Sequence, residues 1–497
     1  MGKVPKQKKE PSLLISIIPV IVTVLIIGVV IIGYDGEVHI PILIGAVTAA
    51  LIATYSLGFT WKEIEQGIVD SIGSTMQAIL ILAIIGVLIG TWIAGGIVPT
   101  MIYYGLQILS PTFFLAASLI LCSIVALATG SSWTTAGTVG IALIGIAQGL
   151  GISVPLAAGA IISGAYFGDK ISPLSDTTNL APGMAGSTLF DHIKHMLYTT
   201  SVSYGITLVI FLIIGFQFTG QELDTHEING ILQTIEGLYV INPLLLLVPV
   251  IVIVMVAMKV PAIPGLVVGC LLGAVCAVFQ GQDFGSIMDI ANNGVVSETG
   301  HAVVDELLTN GGLQSMMWTI SLIMCALTFG GVLEKTGMMA TIANRLLAFA
   351  KNTGSLILVT AVTCLFVNTL CGDQYLAIAL PGKMYKDTFA ERGLAPRNLS
   401  RILEDSGTVT SALIPWNTCG ATMSNFLGVP TFAYFPYAFF NILSPIVSVL
   451  FAYMGISIMT LEEDPSSEQY VRPMKLKKSQ KELDEWVSNY KSKHANA

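Results

Sequence analysis

Residues 154–178 read VPLAAGAIISGAYFGDKISPLSDTT, and this stretch decides the fold. Its first half is small and apolar, the composition of a helix packed inside a membrane. Its second half fails abruptly: Gly168 is followed by Asp169, Lys170, Ser172, Pro173, Ser175, Asp176, Thr177 and Thr178. Lipid offers no hydrogen bonds to a broken backbone, so an irregular segment at depth must be buried in protein or line a cavity. An apolar helix that ends in a run of oxygens therefore indicates a helical membrane protein with an internal polar site.

The whole chain agrees. Of 497 residues, 54% are hydrophobic and only 11% charged, where a soluble domain carries about 25% charged residues. Mean hydropathy is +0.77. The net charge of −8 comes from a few clusters. Basic residues are scattered or terminal with no interleaved aromatics, which excludes a nucleic-acid partner. Cys122, Cys270, Cys276, Cys325, Cys364, Cys371 and Cys419 lie in or beside apolar stretches without a CxxC pair. They read as small buried hydrophobes, not as a disulfide or zinc framework.

Fourteen apolar runs of roughly spanning length follow. They are 12–33, 40–58, 73–96, 111–129, 133–150, 152–168 and 196–219, then 241–258, 261–279, 313–333, 353–371, 374–390, 402–420 and 431–458. The first is a retained span, since Tyr34-Asp35-Gly36-Glu37 follows it in place of a cleavage site. The members at 133–150, 152–168, 374–390 and 402–420 are interrupted by Gly or Pro, or charged, and are expected as half-helices or re-entrant hairpins.

Lys and Arg set the orientation. Lys3, Lys6, Lys8 and Lys9 place the start of the chain in the cytoplasm. Segments 220–240 and 280–312 are acidic and external, whereas 334–351 and 383–401 are basic and internal. The tail with Lys475, Lys477, Lys478 and Lys481 returns to the cytoplasm.

One spacing recurs. Gly130 and Gly372 stand 242 residues apart, as do Gly140 and Gly382, Pro173 and Pro415, Gly151 and Gly393, and Gly95 and Gly337. Seven elements is an odd number, so the second copy enters the membrane upside down. The expected fold is an all-α polytopic membrane protein of two inverted-topology repeats, each of about seven elements with broken helices or re-entrant hairpins. Its parts are a cytoplasmic tail 1–11, a first membrane repeat 12–219, an external connecting loop 220–240, a second, inverted repeat 241–460 and a cytoplasmic tail 461–497. Inverted repeats with broken helices are the architecture of secondary transporters.

Four polar segments interrupt the spans: 130–135, 168–179, 368–374 and 404–418. They hold hydroxyls, amides and carboxylates, the hard oxygen donors that a dehydrated Na⁺ requires. Candidate ion-path residues are Asp176, Asp169, Ser172, Ser175, Thr177, Thr178 and Ser131 in the first half, and Asp373, Asn417 and Thr418 in the second. Asp176 and Asp373 are the expected Na⁺ ligands. A carboxylate that holds either Na⁺ or H⁺, but not both, suffices for antiport, and ionisable residues inside a membrane are functional candidates by default. Asp176 competes with a simple role at the start of a helix. Glu404 and Asp405 are candidates for proton coupling, against a salt-bridged cluster with Arg397 and Arg401. His192 and His195 share one helical face and read as solvated. No phosphate loop, nucleophile elbow or zinc-protease motif is present, so neither an enzyme nor a cofactor is expected.

Gly130-Ser-Ser-Trp-Thr-Thr-Ala-Gly-Thr-Val-Gly140 and Gly164-Ala-Tyr-Phe-Gly-Asp-Lys-Ile-Ser-Pro-Leu-Ser-Asp-Thr-Thr178 resemble the two signature stretches of the NhaC-type Na⁺/H⁺ antiporters. The resemblance extends more loosely over about residues 12–460. It implies the bacterial plasma membrane, sodium efflux coupled to proton entry, and a scaffold domain beside a transport domain of two inverted hairpin-and-broken-helix motifs. It implies Asp169, Ser172, Ser175, Asp176 and Thr177 near the ion path. Some members are similar to malate–lactate exchangers coupled to Na⁺ and H⁺, so small carboxylates stand as an alternative cargo. The expected partners are thus Na⁺, H⁺ and the lipid bilayer. A homodimer is expected by analogy with scaffold–transport folds.

Overall fold

The computed structural model describes residues 8–34, 36–219, 225–258 and 260–464. Lys3, Lys6, Asp35 and the tail lysines lie outside these residues. The described chain is almost entirely helical, with only two isolated bridges of extended backbone.

The first part comprises α1 (Leu13–Tyr34), α2 (His39–Ile52), α3 (Trp61–Ala94), α4 (Ile97–Ile108) and α5 (Pro111–Thr129). Next, α6 (Ser132–Thr135) runs through a π turn at Ala136–Gly140 into α7 (Ile141–Gly149). Then come α8 (Val154–Ile171), α9 (Asp176–Ala185) and α10 (Leu189–Phe216). The second part starts with α11 (Thr225–Leu238), α12 (Leu247–Ala257), α13 (Ala262–Phe279), α14 (Phe284–Asn293) and α15 (Ala302–Leu308). It continues with α16 (Met317–Lys335), α17 (Met338–Leu347), α18 (Thr353–Cys371) and α19 (Gln374–Glu391). Next, α20 (Pro396–Ile402) passes through a π turn at Leu403–Thr408 into α21 (Val409–Ser411), followed by α22 (Thr418–Leu427), α23 (Thr431–Tyr434) and α24 (Phe439–Met454).

Among the described residues, eight helices are long and apolar enough to cross a membrane. Two bent pairs, 228–238 with 243–257 and 431–437 with 439–454, raise the number to ten. These ten coincide with the ten strongly apolar runs. The four weak runs are α6–α7, α8, α19 and α20–α21. Of these, α8 and α19 run for 18 residues each, which rise about 27 Å. Segment 220–240 is not simply a loop: α11 occupies 225–238 and meets the next helices at 93°. Hydropathy missed it because its apolar residues lie on one face only.

Two helical hairpins position the polar segments. In the first, α5 ends at Gly130 (φ 67°), whose left-handed backbone stops the helix. Ser131 restarts it by accepting a hydrogen bond from Thr134 N at 3.1 Å. The chain then returns: Gly140 faces Ile161 and Ser132 reaches Asp169, so α6–α7 runs antiparallel to α8. α8 in turn lies parallel and very close to α5, with Gly164 against the Leu119 carbonyl and Gly168 against that of Ser123. Small residues permit this approach. The second hairpin repeats the plan. α18 ends at Gly372 (φ 64°) and Asp373 caps α19 by accepting from Leu376 N at 3.0 Å. Gly382 faces Leu403 and Gly407 faces Ala377, so α19 runs antiparallel to the 396–411 helix.

Left-handed glycines mark the same spacing in both halves. Gly130 and Gly372, Gly151 and Gly393, and Gly186 and Gly428 all have positive φ and stand 242 residues apart. Near the other expected pair, the left-handed turn falls at Gly96, not Gly95, opposite Gly337. Around the hairpins, α3 packs against α13, α14 and α16.

Candidate functional site

Each hairpin tip meets a break in the following helix. A Cβ on Gly130 would lie 2.6 Å from the Leu174 carbonyl carbon, so only glycine lets this tip close on the break at 172–175. The break satisfies its own backbone. Ser172 Oγ donates to the Leu127 carbonyl at 2.8 Å and accepts from Leu174 N at 3.3 Å. Thr178 Oγ1 donates to the carbonyl of Lys170 at 2.9 Å and lies 3.3 Å from that of Asp169. Ser175 caps α9, and its hydroxyl lies 3.1 Å from that of Thr177.

A cleft of about 420 Å³ opens on this junction. Ser131, Asp169, Ser175, Asp176 and Thr177 all line it, together with Gln77 of α3 and a wall formed by Val256, Val260 and Pro261. Asp169 is buried and accepts from Ser132 N at 3.0 Å. Asp176 is the first residue of α9 and is open to the cleft, while the cap itself is Ser175. Two carboxylates, three hydroxyls and a hairpin tip thus share one cavity. Ser172 and Thr178 do not line it; they hold the break in shape.

The second tip contributes Gln374 and Tyr375 to the same cleft. Asp373, Asn417 and Thr418 lie behind, at the other junction. Asp373 is buried, and its second carboxylate oxygen accepts from Thr75 of α3 at 3.1 Å. Thr418 N donates to the Gly372 carbonyl at 2.8 Å, tying the second tip to its own break. Asn417 donates to the carbonyl and side-chain oxygens of Asn368, each at 3.0 Å.

Glu404 and Asp405 lie in the π turn and are fully buried. Neither of the arginines anticipated as their partners forms an ion pair with them, although Arg401 lies near Asp405. Arg397 binds Asp464 at 2.5 Å and Asp191 at 3.4 Å, and Arg401 donates to the Ser457 carbonyl at 2.7 Å. Asp405 instead pairs with Lys170 and accepts from Thr199 at 2.9 Å. Neither Glu404 oxygen accepts a hydrogen bond, although Thr177, Thr408 and Asp169 lie close. His192 and His195 are not on a solvated face: both are buried, with His192 Nδ1 2.8 Å from Ser400 Oγ. α20 covers the face of residues 187–196 that reads as solvated in isolation.

Residues 164–456 match the model of the Na⁺/H⁺ antiporter family. The chain belongs to this family. It is 44% identical over 425 residues to the Na⁺/H⁺ antiporter NhaC of Alkalihalophilus pseudofirmus, covering 85% of this chain and 91% of that protein. It is 40% identical over 468 residues to the arginine/ornithine antiporter ArcD of Halobacterium salinarum, covering 93% and 96%. The malate-2H⁺/Na⁺-lactate antiporter of Bacillus subtilis is 40% identical over 407 residues, 82% of this chain and 87% of the relative. The matched region of this antiporter-family chain begins within α8 and takes in the break, the second hairpin and the π turn. It is a multi-pass membrane protein whose relatives are transporters.

From the sequence Lys170 reads only as a partner for its neighbour Asp169; the structure pairs it with Asp405 instead. The signal was available: an ammonium inside an apolar helix must find an anion. Which anion was not legible, because Asp405 lies 235 residues away.

Proposed function

We propose that this chain is a secondary active transporter that exchanges Na⁺ for H⁺ across the plasma membrane by alternating access. The observation that carries this is the shared cleft: Asp169 and Asp176 flank one helix break and face one cavity with Ser131, Ser175 and Thr177. Hydroxyl oxygens and one or two carboxylates suit a weakly charged, oxygen-seeking cation. Either a cation or protons can neutralise the carboxylates, so occupancy by one displaces the other. Membership beside NhaC supports the choice of ions.

In this proposal Asp373, Asn417 and Thr418 form the second cation group, with Ser172 and Thr178 shaping the first. Glu404 couples protons, and Asp405, engaged by Lys170, joins it only in states where that pair is open. Na⁺ and H⁺ are cargo, no cofactor takes part, and the protein is not an enzyme. The recurrent 242-residue spacing of left-handed glycines supports two repeats, and the loop charges support an inverted second repeat with both termini cytoplasmic. A homodimer completes the picture.

The second proposal is a Na⁺- and H⁺-coupled organic-anion exchanger. The volume of the cleft favours it, since about 420 Å³ far exceeds one bare ion, as does the malate–lactate relative. Everted vesicles with an imposed ΔpH separate the two. Dequenching of a ΔpH dye by Na⁺ alone supports cation exchange; dequenching only with malate and lactate present supports the organic-anion exchanger. No response to either overturns both.

A further inference from the structure

α8 ends in two neighbouring ionisable residues that face different ways. Asp169 lines the cleft and accepts from the first hairpin tip. Lys170 is wholly buried behind it, paired with Asp405 of the π turn and donating to Ser444 Oγ of α24 at 2.9 Å. The Phe440 ring lies 5.7 Å from its ammonium. Thr199 of α10 completes the shell of Asp405. Four elements therefore converge on one ion pair. The other charged or titratable groups near it are Glu404 beside Asp405, Asp169 on α8, His192 on α10 and Arg401 on α20. Neither Lys170 nor Asp405 lines the cleft.

A buried ion pair is weak evidence for stability, because desolvating both charges offsets their attraction, and apolar residues often fill such a place as well. What the pair does supply is direction. It ties α8 of the first hairpin unit to the π turn of the second. Lys170 follows Asp169 in the chain, so backbone position 170 cannot shift without carrying Asp169 along. Thr178 Oγ1 bonds the Lys170 carbonyl, which fastens the start of α9 to the same point.

Resting on the assignment of the cleft as a cation site, we propose that Lys170 is a positioning residue for exchange. Its tie to Asp405 holds Asp169 against Ser132 and makes the two hairpin units carry the cleft as one body.

Isotopic Na⁺/Na⁺ exchange in proteoliposomes tests this, because it reads cation binding without net proton movement. KM and Vmax are measured for the wild type, Lys170→Met, Lys170→Arg and the double variant Lys170→Met/Asp405→Asn. The double variant leaves no buried charge without its partner, so it remains informative where the single variant misfolds. Loss of positioning raises the KM for Na⁺ by about tenfold or more in the double variant, while Lys170→Arg stays within a few-fold of wild type. A double variant with wild-type KM overturns the proposal, whatever its Vmax, since a merely structural pair would leave affinity alone. Wild-type protein without Na⁺/Na⁺ exchange overturns the cation assignment itself, and that result appears before any substitution is made.

Discussion

At the scale of single residues, Asp176 separates a helix-start role from a transport role. Placed in the first turn of α9, its charge favours the helix by only about 0.3–1 kcal/mol. Asp176→Asn should therefore leave the protein inserted and folded. Na⁺-driven proton flux in everted vesicles should nonetheless fall to the level of empty vesicles. Wild-type flux in that variant would remove Asp176 from the ion path. Gly130 poses a steric question instead. At φ 67°, with a Cβ due 2.6 Å from Leu174 and 2.8 Å from Ser175 N, alanine meets both backbone strain and a clash. Gly130→Ala should cost about 2 kcal/mol or more, measured as a lower melting temperature in detergent. Melting unchanged from wild type would show that the tip does not close on the break. Glycine at 130 was legible from its repeat partner at 372; the role of Lys170 was not, because a charge announces a need for a partner without naming it.

Among the elements, the hairpins and breaks were marked in the sequence by glycine, proline and clustered hydroxyls, all of which act locally. The amphipathic α11 and the buried face of α10 were not, because one-sided apolar patterns disclose their fate only once the neighbouring helix is in place. The segment 295–312 yields a pH prediction. Asp305 accepts from Thr299 N at 2.6 Å, Ser297 Oγ at 2.9 Å and Gly300 N at 3.1 Å. These bonds, led by the Thr299 amide, hold its carboxyl below the ordinary value of 3.8. A lowered folded value means that the stabilisation is complete at neutral pH. It is lost as pH falls below about 4, through the lowered value. Hydrogen exchange at Thr299 and Gly300 should therefore lose protection only in that acid range. Asp305→Asn should lose much of it at neutral pH. Protection at neutral pH equal to wild type in the variant would show that the carboxylate does not order this turn.

For the whole molecule, loop charge predicts which side each element faces. Asp289 of α14 and Lys351 before α18 are both exposed and lie in segments of opposite charge. In intact cells, an impermeant maleimide should label Asp289→Cys and not Lys351→Cys. Everted vesicles should show the reverse. Labelling of Lys351→Cys and not Asp289→Cys in intact cells would refute the inverted orientation.

The sequence alone determined the membrane class, the ten strong spans, the positions of the four polar interruptions and the candidate carboxylates. Hydropathy, proline, left-handed glycine and helix caps are properties of short stretches, and they survive without knowledge of what packs where. Only the tertiary structure decided who meets whom. It set Asp169 against Ser132, brought Asp176 and Tyr375 to one cleft, put Asp373 behind it against Thr75, and paired Lys170 with Asp405. The physical reason is that a buried polar group must be satisfied, but its partner is chosen by helix packing, across separations of tens to hundreds of residues that local pattern does not encode.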